Sequence, residues 1–232
     1  MKLSSLITTL AVALSTLAGT QAKADITQVI SINVTTFEQN TNGTSNGTVT
    51  NVPPPKVSTH KTGDFLSKLA RDENAAGHWT NDVFPAGAKL AVVPSQNDSA
   101  DFAVIQGTNI LVDVSDIISF QSGDLQLGDI EVISGKEDLQ TQLASPMTKK
   151  THLGTIIFDD SAVADPSEAL TFEMRGVFTE TTTDGPVKNG FYTETRTAKM
   201  TSGNGSGTDG GNPFICTGSI SATGKASRPA VQ

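Results

Sequence analysis

Apolar and polar side chains alternate with a period of two along much of this chain, and that period predicts strands. Ile30, Ile32 and Val34 alternate with Ser31, Asn33 and Thr35, the pattern of a strand with one buried face. Leu170, Phe172, Met174 and Phe178 stand against Thr171, Glu173, Arg175 and Thr179 in the same way, with one core face and one wet face. Residues 89–93, 102–106 and 110–114 are apolar runs separated by polar or glycine-containing turns, and connections that short predict an antiparallel meander. Further strands are expected at 117–120, 130–134 and 153–158, the last apolar on both faces at Ile156, Ile157 and Phe158 and therefore expected to be central.

The 3.6-residue period surfaces once. Phe65, Leu66, Leu69 and Ala70 form one apolar face, Thr62 is placed to cap the helix, Asp64 suits its first turn, and Asn74 to Gly77 should end it. Before the helix, a flexible turn at 40–47 and a short strand at 48–52 run into Pro53, Pro54 and Pro55, which remove ladder donors and read as a hinge. After a turn at Asp184, Gly185 and Pro186, residues 191–201 look strand-like but polar on both faces, so that ribbon is expected to project into solvent. Residues 202–211 read as a Gly-rich loop before a last strand at 214–223. The expected fold is all-β, a mainly antiparallel two-sheet sandwich with one short α-helix, or alternatively a partly open barrel. Residues 57–232 would form one domain, preceded at 25–56 by a strand or hairpin and the proline hinge.

The first 24 residues have a different pattern. Lys2 opens the chain, residues 3–17 are mostly apolar, and Ala22, Lys23 and Ala24 make a small-x-small site before Asp25, which together read as a cleaved signal peptide. The apolar stretch carries six Ser or Thr residues between Ser4 and Thr16, against the roughly 20 predominantly apolar residues a spanning helix needs. Thr20 stands where a lipoprotein would need its cysteine. The expectation is export through the secretory pathway to the periplasm, the cell surface or the medium, with no membrane insertion of the mature chain.

Composition narrows the function classes. The chain carries 16 basic and 24 acidic residues, a formal charge of −8, and removing residues 1–24 takes away Lys2 and Lys23 but no acid. An acidic chain with one adjacent basic pair after that segment, Lys149-Lys150, is unsuited to nucleic acid. Cys216 is the sole cysteine, so no intramolecular disulfide forms and the core must supply stability; within Phe214-Ile215-Cys216 it reads as a small apolar strand residue. An outer-membrane barrel is disfavoured, because aromatic girdles and a regular series of lipid-facing strands are missing from the pattern.

No residue pattern assigns a reaction, and no catalytic residues are proposed from sequence. Asp159, Asp160, Asp165 and Glu168 on one loop are the calcium candidates, since calcium takes hard oxygen ligands; without EF-hand spacing, a solvated turn is the favoured reading. Asp113 with Asp116 and Asp124 with Asp129 are carboxylate pairs of the kind a glycosidase uses, although sequence spacing says nothing of their separation. His60, His78 and His152 stand singly and do not make a zinc motif. Gly203 to Gly207 has neither the nucleophile-elbow pattern nor a phosphate-loop lysine. Trp79, the single tryptophan, is expected to pack between helix and sheet beside Phe65, Leu69 and Phe84. The N-x-S/T triplets at Asn33, Asn42, Asn46, Asn97 and Asn204 mark mostly exposed turns, with Asn33 inside a strand.

The reading that follows is an exported, non-enzymatic structural, adhesive or cell-surface interaction protein, acting through self-association or a surface partner. Its N-terminal strand, residues 26–36, is a candidate for addition to a neighbouring sheet. The alternative is an extracytoplasmic module for a small sugar or apolar ligand near Trp79 or between sheets. A hydrolase whose residues converge only in space is a third class. Cofactors are not implied beyond the calcium candidate.

Overall fold

The computed structural model describes residues 26–38, 54–94, 100–122, 132–134, 137–138, 143–144, 147–163 and 165–230. Residues 1–24, read above as a signal peptide, the expected strand at 48–52, Asp124, Asp129, Asn42, Asn46 and Asn97 lie outside them. The elements are β1 (Gln28–Glu38), β2 (Val57–Lys61), α1 (Thr62–Ala75), β3 (Lys89–Pro94), β4 (Ala100–Gln106), β5 (Asn109–Asp113) and β6 (Ile118–Ser122). The short strands β7 (Val132–Ser134), β8 (Glu137–Asp138) and β9 (Leu143–Ala144) follow. The long strands β10 (Met147–Asp159), β11 (Leu170–Asp184), β12 (Phe191–Asp209) and β13 (Asn212–Pro229) complete the chain.

The all-β, antiparallel class is observed, with one helix among the described residues. The hydrogen bonding does not divide into the two sheets of the expected sandwich: one sheet runs β5-β4-β3-β1-β13-β12-β11-β10-β6, with β2 added to β1 and β7 to β10, and β8-β9 forms a separate pair. The ends of that path, β5 and β6, are consecutive in sequence and joined by residues 114–117. Nine strands laid flat would separate those ends by about 38 Å, whereas the five peptide steps from Asp113 to Ile118 span at most about 18 Å. The sheet therefore rolls. It does not close by strand pairing; the turn is stitched to β4 instead, with Val114 N donating to Phe102 O (2.9 Å), Phe102 N to Ser115 Oγ (2.9 Å) and Ser115 Oγ to Phe102 O (3.2 Å).

Helix α1 fills the roll. Phe65 and Leu69 are buried, and the Phe65 ring lies 5.5 Å from Phe158 and 5.9 Å from Phe172, which stack on each other at 5.5 Å. Ile30, Ile32 and Val34 of β1, Leu90 of β3, Ile156 of β10 and Met174 of β11 enter the same core, as the period-two pattern predicts. On the opposite face of the β3-β4 pair, Ala91, Val93, Ala103 and Ile105 form a second buried cluster. Thr62 is not the helix cap. Lys61 is, with its N–H donating to Asp64 Oδ2 at 2.8 Å. Thr62 instead ties the helix to β1, its Oγ accepting from Ile32 N (2.9 Å) and donating to Ile32 O (3.3 Å). The helix ends at Ala75, followed by Gly77 at φ +81°.

Within the chain, β1 is paired on both edges: β13 pairs along one from Val29 to Glu38, while β3 and β2 occupy the other. Two further expectations are revised. Strand β10 lies next to the end of the path rather than at its centre, yet both its edges are used, by β11 on one side and β6 and β7 on the other. Residues 202–209 are strand rather than loop, because Gly203, Gly205 and Gly207 all stand on the inner face of β12. A Cβ at Gly203 would meet Met174 Cγ and Met200 Cε at 2.7 Å, and one at Gly205 would run into the Glu173 carbonyl. Glycine lets those large side chains lie across the strand. The real turn is Gly210-Gly211, both at positive φ.

The ribbon at 191–201 does not simply project into solvent. It is flanked by β11 and β13, and its inner face buries Glu194 (1% exposed) against Arg228 (5%). Arg228 Nε donates to Glu194 Oε2 at 3.2 Å, and Arg196 Nε to Oε1 at 2.6 Å.

Candidate functional site

The rolled sheet and α1 leave a cleft of about 410 Å³ beside the helix, lined among others by His60, Lys68, Arg71, Asp72, Glu168 and Asp209. Lys68 and Asp72 are one helical turn apart on α1, so their side chains share a face. Asp160 follows β10 directly, held there by its N–H donating to Leu170 O at 3.1 Å. The Lys68 ammonium meets three acceptors: it pairs with Asp160 Oδ2, donates to the Glu168 carbonyl at 2.7 Å, and lies 3.7 Å from Asp72 Oδ1.

One cation thus serves two largely buried carboxylates. Burial first, and the neighbouring Asp160 charge second, push the Asp72 carboxyl up to about 6 against the pull of Lys68. Burial also raises Asp160, opposed by its bond to Lys68. At neutral pH the cluster carries an excess negative charge, and it takes up a proton in mildly acidic solution. Chemically it is a tether between α1 and the loop after β10, with a proton-binding step near pH 6.

The four calcium candidates do not converge. Asp160 faces Lys68; Asp159 Oδ1 accepts from Ser161 N (3.1 Å), and Asp165 Oδ1 accepts from Ser167 N (2.9 Å) and Oγ (2.7 Å), each closing its own turn. Those Ser167 bonds hold the Asp165 carboxyl below its ordinary value. Glu168 contributes its backbone oxygen to Lys68. Among the described residues no group of three or more His, Cys, Asp or Glu side chains is arranged to hold a metal ion.

The remaining candidates fall in separate places. Asp113 Oδ1 accepts from Ser115 N (3.0 Å) and Oγ (2.7 Å), closing the turn before β6. Buried Glu73 accepts from or donates to His78 Nδ1 at 3.0 Å, and its carboxyl is raised chiefly by burial. His60 tilts against Phe65 at 6.3 Å, and His152 stacks on Phe178 at 6.0 Å with Glu180 at 3.7 Å. Trp79 packs on Phe84 at 5.2 Å in the loop after α1, its Nε1 donating to Val83 O at 3.2 Å; it is half-buried rather than part of the core. Cys216 is buried in β13, and burial pushes its thiol up to about 11.

Sequence reasoning missed the Lys68-Asp72-Asp160 cluster and the Glu194-Arg228 pair. The i,i+4 spacing of Lys68 and Asp72 was a visible signal, whereas Asp160 and Arg228 arrive only through long-range pairing. It also missed a shallow groove of about 370 Å³ on the outer face of β11 and β12, lined by Val177, Thr179, Thr181, Thr197, Lys199 and Thr201 among others. The groove forms beside a bulge where the β11-β12 register shifts between Arg175 and Phe178. No protein-family model, curated protein or solved structure matches this chain.

Proposed function

We propose that this is an exported, non-enzymatic protein that works through its surface, as a structural, adhesive or cell-surface interaction component. The observation that carries the reading is the outer face of β10 to β13, a broad sheet surface on which exposed threonines, serines and Lys199 surround a shallow groove. The charged cluster in the α1 cleft supports the same reading: Lys68 is spent on internal acceptors, which suits a tether. The N-terminal segment supports export, with the mature chain starting at Asp25.

The test is fractionation of producing cells, with the mature N-terminus read by mass spectrometry. The expected result is a chain beginning at Asp25, recovered outside the cytoplasm and sedimenting with envelope or extracellular matrix material. An unprocessed chain in the cytoplasm, or a processed one that stays in the supernatant as a free monomer, overturns the proposal.

A second reading, a small-ligand module or acid–base centre in the α1 cleft, is favoured by one observation: the largely buried Asp72 and Asp160 share Lys68 beside the cleft, where burial pushes the Asp72 carboxyl up to about 6. It requires a ligand whose affinity follows the protonation of Asp72, and Asp72→Asn should then abolish that pH dependence.

A further inference from the structure

The outer face beyond the β11-β12 bulge has an unusual charge for so acidic a chain. Its outward positions on β11 are Val177, Thr179, Thr181 and Thr183, and the pairings extend each row across the sheet. Thr181 faces Lys149 on β10 and Thr197 on β12, which in turn faces Thr223 on β13. Thr179 faces Lys199, which faces Ser221; Thr183 faces Thr195, which faces Lys225. Lys149, Lys199 and Lys225 are all exposed. Among the described residues, no Asp or Glu stands at an outward position of this half-face, although the chain has 24 acids against 16 bases. Beyond the bulge the carboxylates of β11 and β12, Glu180, Asp184 and Glu194, occupy the alternate positions, whereas Glu173 stands outward on the other side of the bulge.

We infer that this half-face binds an acidic polysaccharide, with Lys149, Lys199 and Lys225 meeting its carboxylates and the threonine and serine hydroxyls meeting its sugar hydroxyls. The inference rests on the surface-acting reading above and names the surface and the class of partner. Two strand spacings and a two-residue offset put the Lys149 and Lys199 Cα atoms on the order of 12 Å apart, and one strand spacing with a four-residue offset puts Lys199 and Lys225 on the order of 14 Å apart. Cations this sparse, with hydroxyls between them, match a polymer whose charges are separated by hydroxyl-bearing rings. Duplex DNA carries a charge about every 1.7 Å of its axis and needs a denser cationic stripe. The lysines can each donate charge-assisted hydrogen bonds to carboxylate, and the exposed Val177, at 42%, offers an apolar contact for a ring face at the groove floor.

The test is affinity electrophoresis of the full-length protein in gels containing polygalacturonate, with neutral dextran as control. Retardation by polygalacturonate, weakening with salt, is expected. The triple variant Lys149→Ala, Lys199→Ala, Lys225→Ala should weaken binding by roughly tenfold or more, while the pair Lys56→Ala, Lys89→Ala, neither of which lies on β10 to β13, should change it by less than about twofold. The substituted lysines are exposed, and a melting curve checks that the triple variant is folded. Absence of retardation at low salt, equal weakening by the two variant sets, or equal competition by duplex DNA overturns the inference. If the protein sediments with envelopes but the triple variant binds polygalacturonate as well as the unsubstituted protein, the surface-acting reading stands and this site fails; if polygalacturonate binds through the three lysines but envelopes do not, the site stands and that reading fails.

Discussion

Glu194 and Arg228 form an ion pair inside the sheet, with Arg228 Nε 3.2 Å from Glu194 Oε2 and both side chains almost fully buried. Arg196 holds the other carboxylate oxygen at 2.6 Å, so three charges on the inner face of β12 and β13 balance to a single excess positive one near the ribbon's end. Removing one partner of such a pair leaves the other buried and uncompensated, a loss that commonly exceeds what the pair contributed. Arg228→Met should therefore lower stability by about 3 kcal/mol, at the low end for a buried pair because Arg196 remains. The double variant Arg228→Met, Glu194→Met should recover part of that loss. Urea denaturation of the two variants checks it, and equal loss in both would show that the pair has no such asymmetry.

The Lys68-Asp72-Asp160 cluster makes stability depend on pH. The Asp72 carboxyl is raised from 3.8 unfolded to about 6 folded, so the folded state binds its proton more tightly. That contribution is present in full below pH 3.8 and is lost as pH rises through 6. Between pH 7 and pH 5 the protein should thus become more stable by about 1 kcal/mol from this group, with the rest of the gain appearing as pH falls toward 3.8. Asp72→Asn should remove most of that slope and be the more stable protein at pH 8. Denaturation midpoints measured across pH 5 to 8 decide it; parallel profiles for the two proteins would contradict the assignment.

Glycines in β12 should be far less replaceable than a glycine in α1. A Cβ at Gly205 would collide with the Glu173 carbonyl, and backbone cannot step aside as a side chain can. Gly205→Ala should cost about 3 kcal/mol or prevent folding altogether. Gly63, inside α1 with nothing within 4 Å of its missing Cβ, should gain about 0.5–1 kcal/mol on replacement by alanine. Thermal melts of the two variants should move in opposite directions.

Cys216 should be inert in the native protein. It is 2% exposed and its thiol is raised to about 11, so thiolate is scarce and inaccessible at neutral pH. A thiol reagent such as an aromatic disulfide should label it only on unfolding, with a rate that follows denaturant concentration. Rapid labelling in buffer would show that β13 opens locally.

Local chemistry made much of this protein legible without coordinates. The period-two alternation at Ile30, Ile32 and Val34 places side chains on opposite faces of any strand, and the 3.6-residue spacing of Phe65 and Leu69 does the same for a helix, so class and core positions follow from single segments. The inert reading of Cys216 follows from its apolar neighbours alone. Pairing between distant segments decided the rest. Gly203, Gly205 and Gly207 look like a loop until Met174, the Glu173 carbonyl and Phe172 of β11 are seen packed against them in turn; Glu194 looks solvent-bound until β13 brings Arg228 beside it. Lys68 and Asp72 are neighbours by helical spacing, but their proton chemistry depends on Asp160, which reaches them from the end of β10. The rolling of the sheet has the same origin: residues 114–117 join its two ends, a constraint that exists only once the order of all nine strands in the path is known.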